Sequence, residues 1–414
     1  MRSSMTRAMS CILLIVCVNL SHGEDWPQWR GVNRDGKSNE TGLLKTWPKE
    51  GPRLLWQVND LGNGYSTPSA ANGVVYLIAN RDLQNEDLIA LSLEDGTKLW
   101  SIRLGNVGKN EGPQYPGARS TPTIDGDSVY ALGSDGDLLC VRAKSGDILW
   151  KKNLKVDFGG QPGMWAYTES PLIDAEQLIC SPGGADATVV ALNKSTGETI
   201  WKSALPEGDK ASFSSPIMAE VDGTKQYILF LGNGAVGVDP ASGQSLWRYT
   251  KTSDKQANVQ TPVAENGLVY TAASRVGSGL IKVSRNAPVT EVYFGGSKPS
   301  GMGGCILIGR ALFGSTGSTM ACIDFATGKE NWRTRSMGAC SMCYADEKLY
   351  LHGEDNELVM IAASPKAYEE LGRVTPPDAP DRGNSKAWAY PIIADGKLLV
   401  RDVGTVWCYD IKGE

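Results

Sequence analysis

Leu93-Glu-Asp-Gly-Thr-Lys-Leu-Trp100 is the stretch on which the reading of this chain turns: a turn glycine, then an apolar residue and a tryptophan three and four positions later. The pattern recurs at Gly146 with Leu149-Trp150, Gly197 with Ile200-Trp201, Gly243 with Leu246-Trp247 and Gly328 with Asn331-Trp332. The glycines step by 50, 51 and 46 residues, and the gap of 85 before Gly328 leaves room for one degenerate unit. Such periods belong to propeller blades. An acidic or hydroxyl residue before each glycine, flanked by alternating apolar positions, is hairpin chemistry, with glycine supplying the positive φ.

Working upstream from each glycine, a Ser/Thr-Pro step opens a short strand at Thr67-Pro68, Thr121-Pro122, Ser170-Pro171, Ser215-Pro216 and Thr261-Pro262, with the variant Tyr390-Pro391. Proline at a strand's first residue costs no ladder bond. These landmarks place units near residues 65, 119, 167, 213, 259, 302, 339 and 388, of which the fifth and seventh lack the tryptophan ending. The last unit is one strand short, while Gly51-Pro-Arg-Leu-Leu-Trp56 stands alone ahead of the first. The reading is therefore an all-β, eight-bladed propeller of four-stranded antiparallel blades, its last blade completed by the N-terminal strand, which pairs the exposed sheet edges and closes the ring. The expected organisation is a leader over 1–23, an extension over 24–50 and one propeller over 51–414.

The leader is read from Arg2 and Arg7 ahead of the apolar run Cys11 to Leu20, with Ser21-His22-Gly23 at the cleavage positions. Export to the periplasm or the exterior, with cleavage near Gly23, is expected. No later segment is apolar for the length of a membrane span, and a monomer is expected. Loss of two arginines from 41 basic residues leaves 39 against 46 acidic ones, a net charge near −7 that disfavours nucleic acid.

The repeats resemble the tryptophan-docking units of pyrroloquinoline quinone (PQQ) proteins, the quinoprotein alcohol dehydrogenase-like superfamily. Asp25-Trp-Pro-Gln-Trp-Arg-Gly31, Arg34-Asp-Gly36 and Trp47-Pro48 are similar to the start of exported PQQ-like repeat proteins. The resemblance implies that Trp56, Trp100, Trp150, Trp201, Trp247 and Trp332 pack between blades rather than stack on a ligand. It extends to the outer-membrane assembly propeller, which has eight such blades and binds a protein, so fold alone does not select a function.

A PQQ dehydrogenase needs a flat sandwich, a calcium ion and a carboxylate base. The adjacent cysteine pair that covers the quinone in the alcohol dehydrogenases is missing here, and the inner strands offer mainly Ser66, Ser120, Ser214 and Gln260, with Glu169 as the sole carboxylate. PQQ with calcium stays the alternative cofactor reading. No catalytic residue and no metal ligand set is assigned. Only His352 survives loss of the leader, in a turn-like Leu351-His-Gly, and no serine elbow or metalloprotease helix is present. Cys340 and Cys343 would lie on opposite strand faces. Cys140, Cys322 and Cys408 share a column with Ala90, Ala191 and Gly237 and read as small core residues. Seven cysteines remain after the leader, an odd number that leaves at least one unpaired.

The remaining candidate is the mouth of the central channel, where the inner strands begin. Tyr65, Arg119, Glu169, Phe213, Gln260 and Trp388, with Trp165 from the loop entering the third unit, are expected to converge there as a site for a protein or a small polar ligand. The competing reading is that Arg119 and Glu169 are a satisfied pair lining a water-filled channel. The leading expectation is an exported, non-catalytic binding or scaffolding propeller. The alternative is a PQQ-dependent oxidoreductase of alcohols or sugars, and a carbohydrate module drawing on Trp165, Trp388 and Tyr390 is a third class. The proline-rich, charged connection 375–385 reads as a partner arm or a long surface loop.

Overall fold

The computed structural model describes residues 23–109, 117–206, 208–285, 287–296, 298–383 and 385–413. The expected leader, apart from Gly23, lies outside them. The described residues form eight four-stranded antiparallel sheets and one short helix, Leu154–Phe158. Blade one runs through the strands Ser69–Ala71, Val74–Arg81, Asn85–Ser92 and Lys98–Asn106, and the next six blades repeat that order outward from the axis. The eighth is built from Ile392–Ala394, Lys397–Asp402 and Thr405–Asp410, with Arg53–Val58 added as its outermost strand. The expected clasp is present. Arg53 seals it with an ion pair to Asp410 at 2.5 Å.

The turn-Gly-to-Trp spacing has a local cause. In every blade the ladder between the third and fourth strands slips by one residue just before the docking position, as between the pairs Leu91↔Lys98 and Ala90↔Trp100. The bulged residue faces out, which is why Leu99, Leu149, Ile200 and Leu246 are exposed apolar side chains. The tryptophan then faces inward over a small residue: Ala90, Cys140, Ala191, Gly237, Cys322 or Cys408. At Gly237 an added Cβ would sit 2.2 Å from the indole nitrogen of Trp247, so the column admits little.

Five of the six indoles also tie their blade to the next by a hydrogen bond. Trp56, Trp100, Trp150, Trp201 and Trp332 donate to the carbonyls of Leu93, Ala143, Lys194, Pro240 and Ser364 at 2.8 to 3.1 Å. Trp247 departs from this rule and donates to Gln226 Oε1 of its own blade at 2.8 Å. The buried apolar residues accordingly fall into clusters that each join two or three neighbouring blades, so the core sits between blades as well as within them.

The two units without the tryptophan ending solve the same packing problem differently. In blade five Tyr293 occupies the docking register opposite Leu280 and donates to the Phe325 carbonyl at 2.8 Å. In blade seven that register holds Gly372, opposite Met360. There Trp47, from the extension, covers the glycine and packs against Tyr350 with ring centroids 6.3 Å apart. Tyr76 and Trp100 of blade one stand 5.9 Å apart in the same relation. A distant segment thus supplies the missing indole.

The rest of the extension crosses the axis. Trp26 bridges to Ala70, the Pro27 carbonyl accepts from Ile124, Arg34 donates to the Ser170 and Pro171 carbonyls, and Gly36 and Ser38 bond Tyr344. The motif Asp25 to Gly36 is therefore a plug tied to the inner strands of the first, second and seventh blades and to the entry of the third. Gly36, at φ 83°, donates to the Arg30 carbonyl at 2.8 Å, and a Cβ there would lie 3.0 Å from the Arg30 guanidinium.

Candidate functional site

A cavity of about 330 Å³ opens at the channel mouth, at the lower end of the range for small-ligand sites. Among the described residues six aromatic side chains line it: Trp29, Tyr65, Trp165, Phe213, Trp388 and Tyr390. Tyr65 and Trp388 stand 5.1 Å apart, as do Trp165 and Phe213, and Trp29 meets Tyr390 edge-on at 4.7 Å. Trp29 is fixed by its indole N–H, which donates to Thr261 Oγ1 at 2.9 Å, so the plug forms part of the cup.

Of the seven mouth residues expected from sequence, Tyr65, Arg119, Trp165, Phe213 and Trp388 come together in this lining. Glu169 and Gln260 do not. The reason is register. Counted back from the strand-opening proline, Tyr65, Arg119, Thr168, Phe213, Val259 and Trp388 are all third, and all six line the cup. Glu169 and Gln260 are second, and alternation turns that position away into the wall. Gln260 Nε2 donates to the Gly301 carbonyl and to Cys305 Sγ. Glu169 accepts from the Ser181 amide and is 2% exposed. Burial pushes its carboxyl up to about 7, against the Ser181 hydrogen bonds and the nearby Arg34 guanidinium, which pull it down. The competing reading of an Arg119–Glu169 pair is thereby corrected: a carboxylate that bears on Arg119 is Glu86, and the guanidinium that bears on Glu169 is Arg34.

Arg119 is the one charged side chain among the described lining residues. Its guanidinium lies 5.3 Å from the Tyr65 ring centroid, and its Nη1 donates to the Gly117 carbonyl at 3.0 Å and that of Trp165 at 3.3 Å. Burial lowers its pKa to about 10, offset in part by Tyr65 and Glu86, so it stays charged at neutral pH. Sequence reasoning missed Trp29, Val259, Thr168 and Met302. Counting register from the proline would have found Val259 and Thr168, whereas nothing local marks Trp29 or Met302 as mouth residues.

His352 lies within the strand Lys348–Gly353 rather than in a turn, fully buried, with its two ring nitrogens 2.9 Å from the Ala389 carbonyl and from Asn356 Oδ1. Described residues of the connection 375–385 are tied to the propeller. Arg382 donates to the carbonyls of Glu354 and Asp355 and pairs with Asp402 at 3.3 Å, while Trp407 donates to the Pro377 carbonyl. All seven described cysteines are buried and free, consistent with the odd count.

A model of the PQQ-like repeat described as outer membrane protein assembly factor BamB matches residues 38–163 and 111–334. The chain belongs to this PQQ-like propeller family. It is similar to BamB of Yersinia pestis, 24% identical over 234 residues, which are 55% of this chain and 51% of that protein. It is also similar to quinoprotein ethanol dehydrogenase of Pseudomonas aeruginosa, 25% identical over 162 residues, which are 36% of this chain and 25% of the enzyme. The chain thus spans about a quarter to a half of the length of these relatives. Among solved structures, BamB of Moraxella catarrhalis superposes with a TM-score of 0.61 at 14% identity, covering 87% of this chain and 98% of that one. The quinohemoprotein alcohol dehydrogenase of Comamonas testosteroni gives 0.52 at 14%, covering 94% and 81%. At such identities the structures speak for the fold alone.

The quinone cofactor that the family name suggests can be tested against the cup. Among the described residues no Asp or Glu lines it, and no cluster of three or more His, Cys, Asp or Glu could hold a metal ion. Calcium ligation needs an oxygen-rich set with carboxylates, and Glu169 is committed to Ser181. This lining does not fit a calcium-held quinone.

Proposed function

We propose that this protein is an exported binding propeller of the PQQ-like type, without catalytic machinery, whose aromatic mouth receives a small polar ligand or a segment of a partner protein. The observation that carries the reading is a preformed cup whose described lining has six aromatic walls, one arginine and no carboxylate. Aromatic rings contribute large contact area at small entropic cost, and a lone fixed charge supplies orientation, which suits recognition better than acid–base chemistry. The matched propellers named for outer-membrane protein assembly support binding and export. Among the described residues no helix is long and apolar enough to cross a membrane.

The alternative, a PQQ-dependent oxidoreductase of alcohols or sugars, is favoured by the flat aromatic walls and the quinoprotein relatives. Calorimetric titration of the purified protein with PQQ and calcium, beside dye-linked oxidation of alcohols and sugars, separates the two. The expected result is no turnover. Micromolar PQQ binding with turnover would establish the enzyme and overturn the proposal.

A further inference from the structure

The polar atoms carried by the described walls of the cup are largely spent within the protein. The indole N–H of Trp29 donates to Thr261 Oγ1, and that of Trp388 donates to Glu354 at 3.0 Å. Tyr390 donates its hydroxyl to the Met302 carbonyl at 3.0 Å, and Ser341 donates to the Trp388 carbonyl at 3.0 Å. Thr67 Oγ1 and Ser215 Oγ accept from the Tyr390 and Ser170 amides at 2.9 Å. The indole nitrogen of Trp165 and the hydroxyl of Thr168 are buried and turn no surface toward the opening. Arg119 is matched as well, with Glu86 bearing on it and its Nη1 held by the Gly117 and Trp165 carbonyls. A group that enters the cup therefore meets mainly the carbon of ring faces and edges.

Resting on the reading of the mouth as a binding site, we propose that the part of its ligand that enters the cup is a single uncharged aromatic ring, with any polar substituent left at the open side. Charge of either sign is disfavoured. An anion meets no unmatched positive group, since Glu86 already answers Arg119, and burying a charge without a partner is costly. A cation, which an all-aromatic cage would take, is repelled by the guanidinium that lies 5.3 Å from the Tyr65 ring centroid. The lining also favours a ring over an alkyl group. Its three ring pairs meet at 45° to 70° with centroids 4.7 to 5.1 Å apart, which leaves a further ring the offset and edge-on contacts that aromatic groups prefer. Met302 adds a thioether, whose sulfur favours an aromatic neighbour. A cavity of about 330 Å³ floored by Trp29 suits one small ring system rather than a broad fused one.

Such a ring occurs on a free small molecule and on the side chain of a partner segment. The test is titration of the purified full chain, labelled with ¹⁵N-tryptophan, followed through its indole N–H resonances. Benzyl alcohol and its saturated counterpart cyclohexylmethanol form one pair of probes. A hexapeptide with blocked ends and a central phenylalanine, and the same peptide with cyclohexylalanine, form the second. In at least one pair the aromatic probe is expected to bind about threefold or more tightly than the saturated one. The shifts should fall on Trp29, Trp165 and Trp388 and spare the docking indoles such as Trp201 and Trp332. Benzoate and benzylammonium should both bind more weakly than benzyl alcohol. Trp388→Leu should reduce the preference for the aromatic probe. Preference in the first pair assigns a small molecule, and preference confined to the second assigns a partner's side chain. Equal binding of aromatic and saturated probes, or tighter binding of either charged one, overturns the ligand class but leaves the mouth as a binding site. Absence of shifts at the three cup indoles with every probe overturns both. Since these comparisons are made on the unaltered protein, they hold even if the variant misfolds.

Discussion

Replacing Trp47 by alanine tests whether one indole can be moved between distant parts of the chain and still hold the ring together. Trp47 is 7% exposed and lies in the cluster that joins blades seven, eight and one. Truncating a buried tryptophan costs about 3 to 5 kcal/mol. In the other blades the docking residue is in register with the third strand, and here that register is Gly372. A Cβ on Gly372 would stand 2.4 Å from the Trp47 Cβ, so Gly372→Trp alone must collide and destabilise. In the Trp47→Ala background the space is vacated, and the indole introduced at 372 can enter it from its own strand. The double variant is therefore expected to recover at least about 1 kcal/mol relative to Trp47→Ala, a coupling of the size contacting residues show. Trp47→Phe should cost under about 1.5 kcal/mol, because the indole N–H of Trp47 has no hydrogen-bond partner among the described residues to lose. Equilibrium urea unfolding followed by circular dichroism gives all four values. Additive single costs, or a Trp47→Ala loss below about 1 kcal/mol, would refute the substitution of one indole for another.

Trp201→Ala should destabilise by about 3 to 5 kcal/mol in the same assay, since it removes a 9%-exposed docking indole together with its bond to Pro240, and a loss well below 1 kcal/mol would remove it from the core. Deleting Arg53–Val58 opens the ring at blade eight and should lower the melting temperature far more than shortening a surface loop by the same length; an unchanged melting temperature would disprove the clasp. The Glu169 carboxyl titrates near 7 when folded and near 4.5 when unfolded. Between those values the folded state binds the extra proton, so its contribution is complete below the lower pH and is lost as pH rises through the upper one. Glu169→Gln should flatten that part of the melting-temperature profile between pH 4.5 and 7, and an unchanged slope would contradict the assignment. Burial raises the Cys305 and Cys340 thiols to about 12, so none of the seven buried cysteines should react with a thiol reagent until the protein unfolds; rapid labelling of the native protein would count against this packing.

The sequence by itself determined the repeat, the number of blades, the closing strand and the place of the docking tryptophans. Each rests on a local signal written many times: a turn glycine, a proline at a strand start, an indole over a small residue. It also pointed to the mouth, because the strands that open there share one proline landmark. Tertiary structure fixed which phase of the strands faces the cup, a choice that register counted from the proline would have made for Thr168 and Val259. A shift of one residue along a strand reverses its direction, so Glu169 and Gln260 went into the wall while Thr168 and Val259 took their places. It alone brought Trp29 into the lining and Trp47 onto Gly372, since a single-copy segment carries no periodicity to say which blade it will meet. Repetition makes the scaffold legible, whereas the site is assembled from residues that occur once, placed by contacts between parts of the chain hundreds of residues apart.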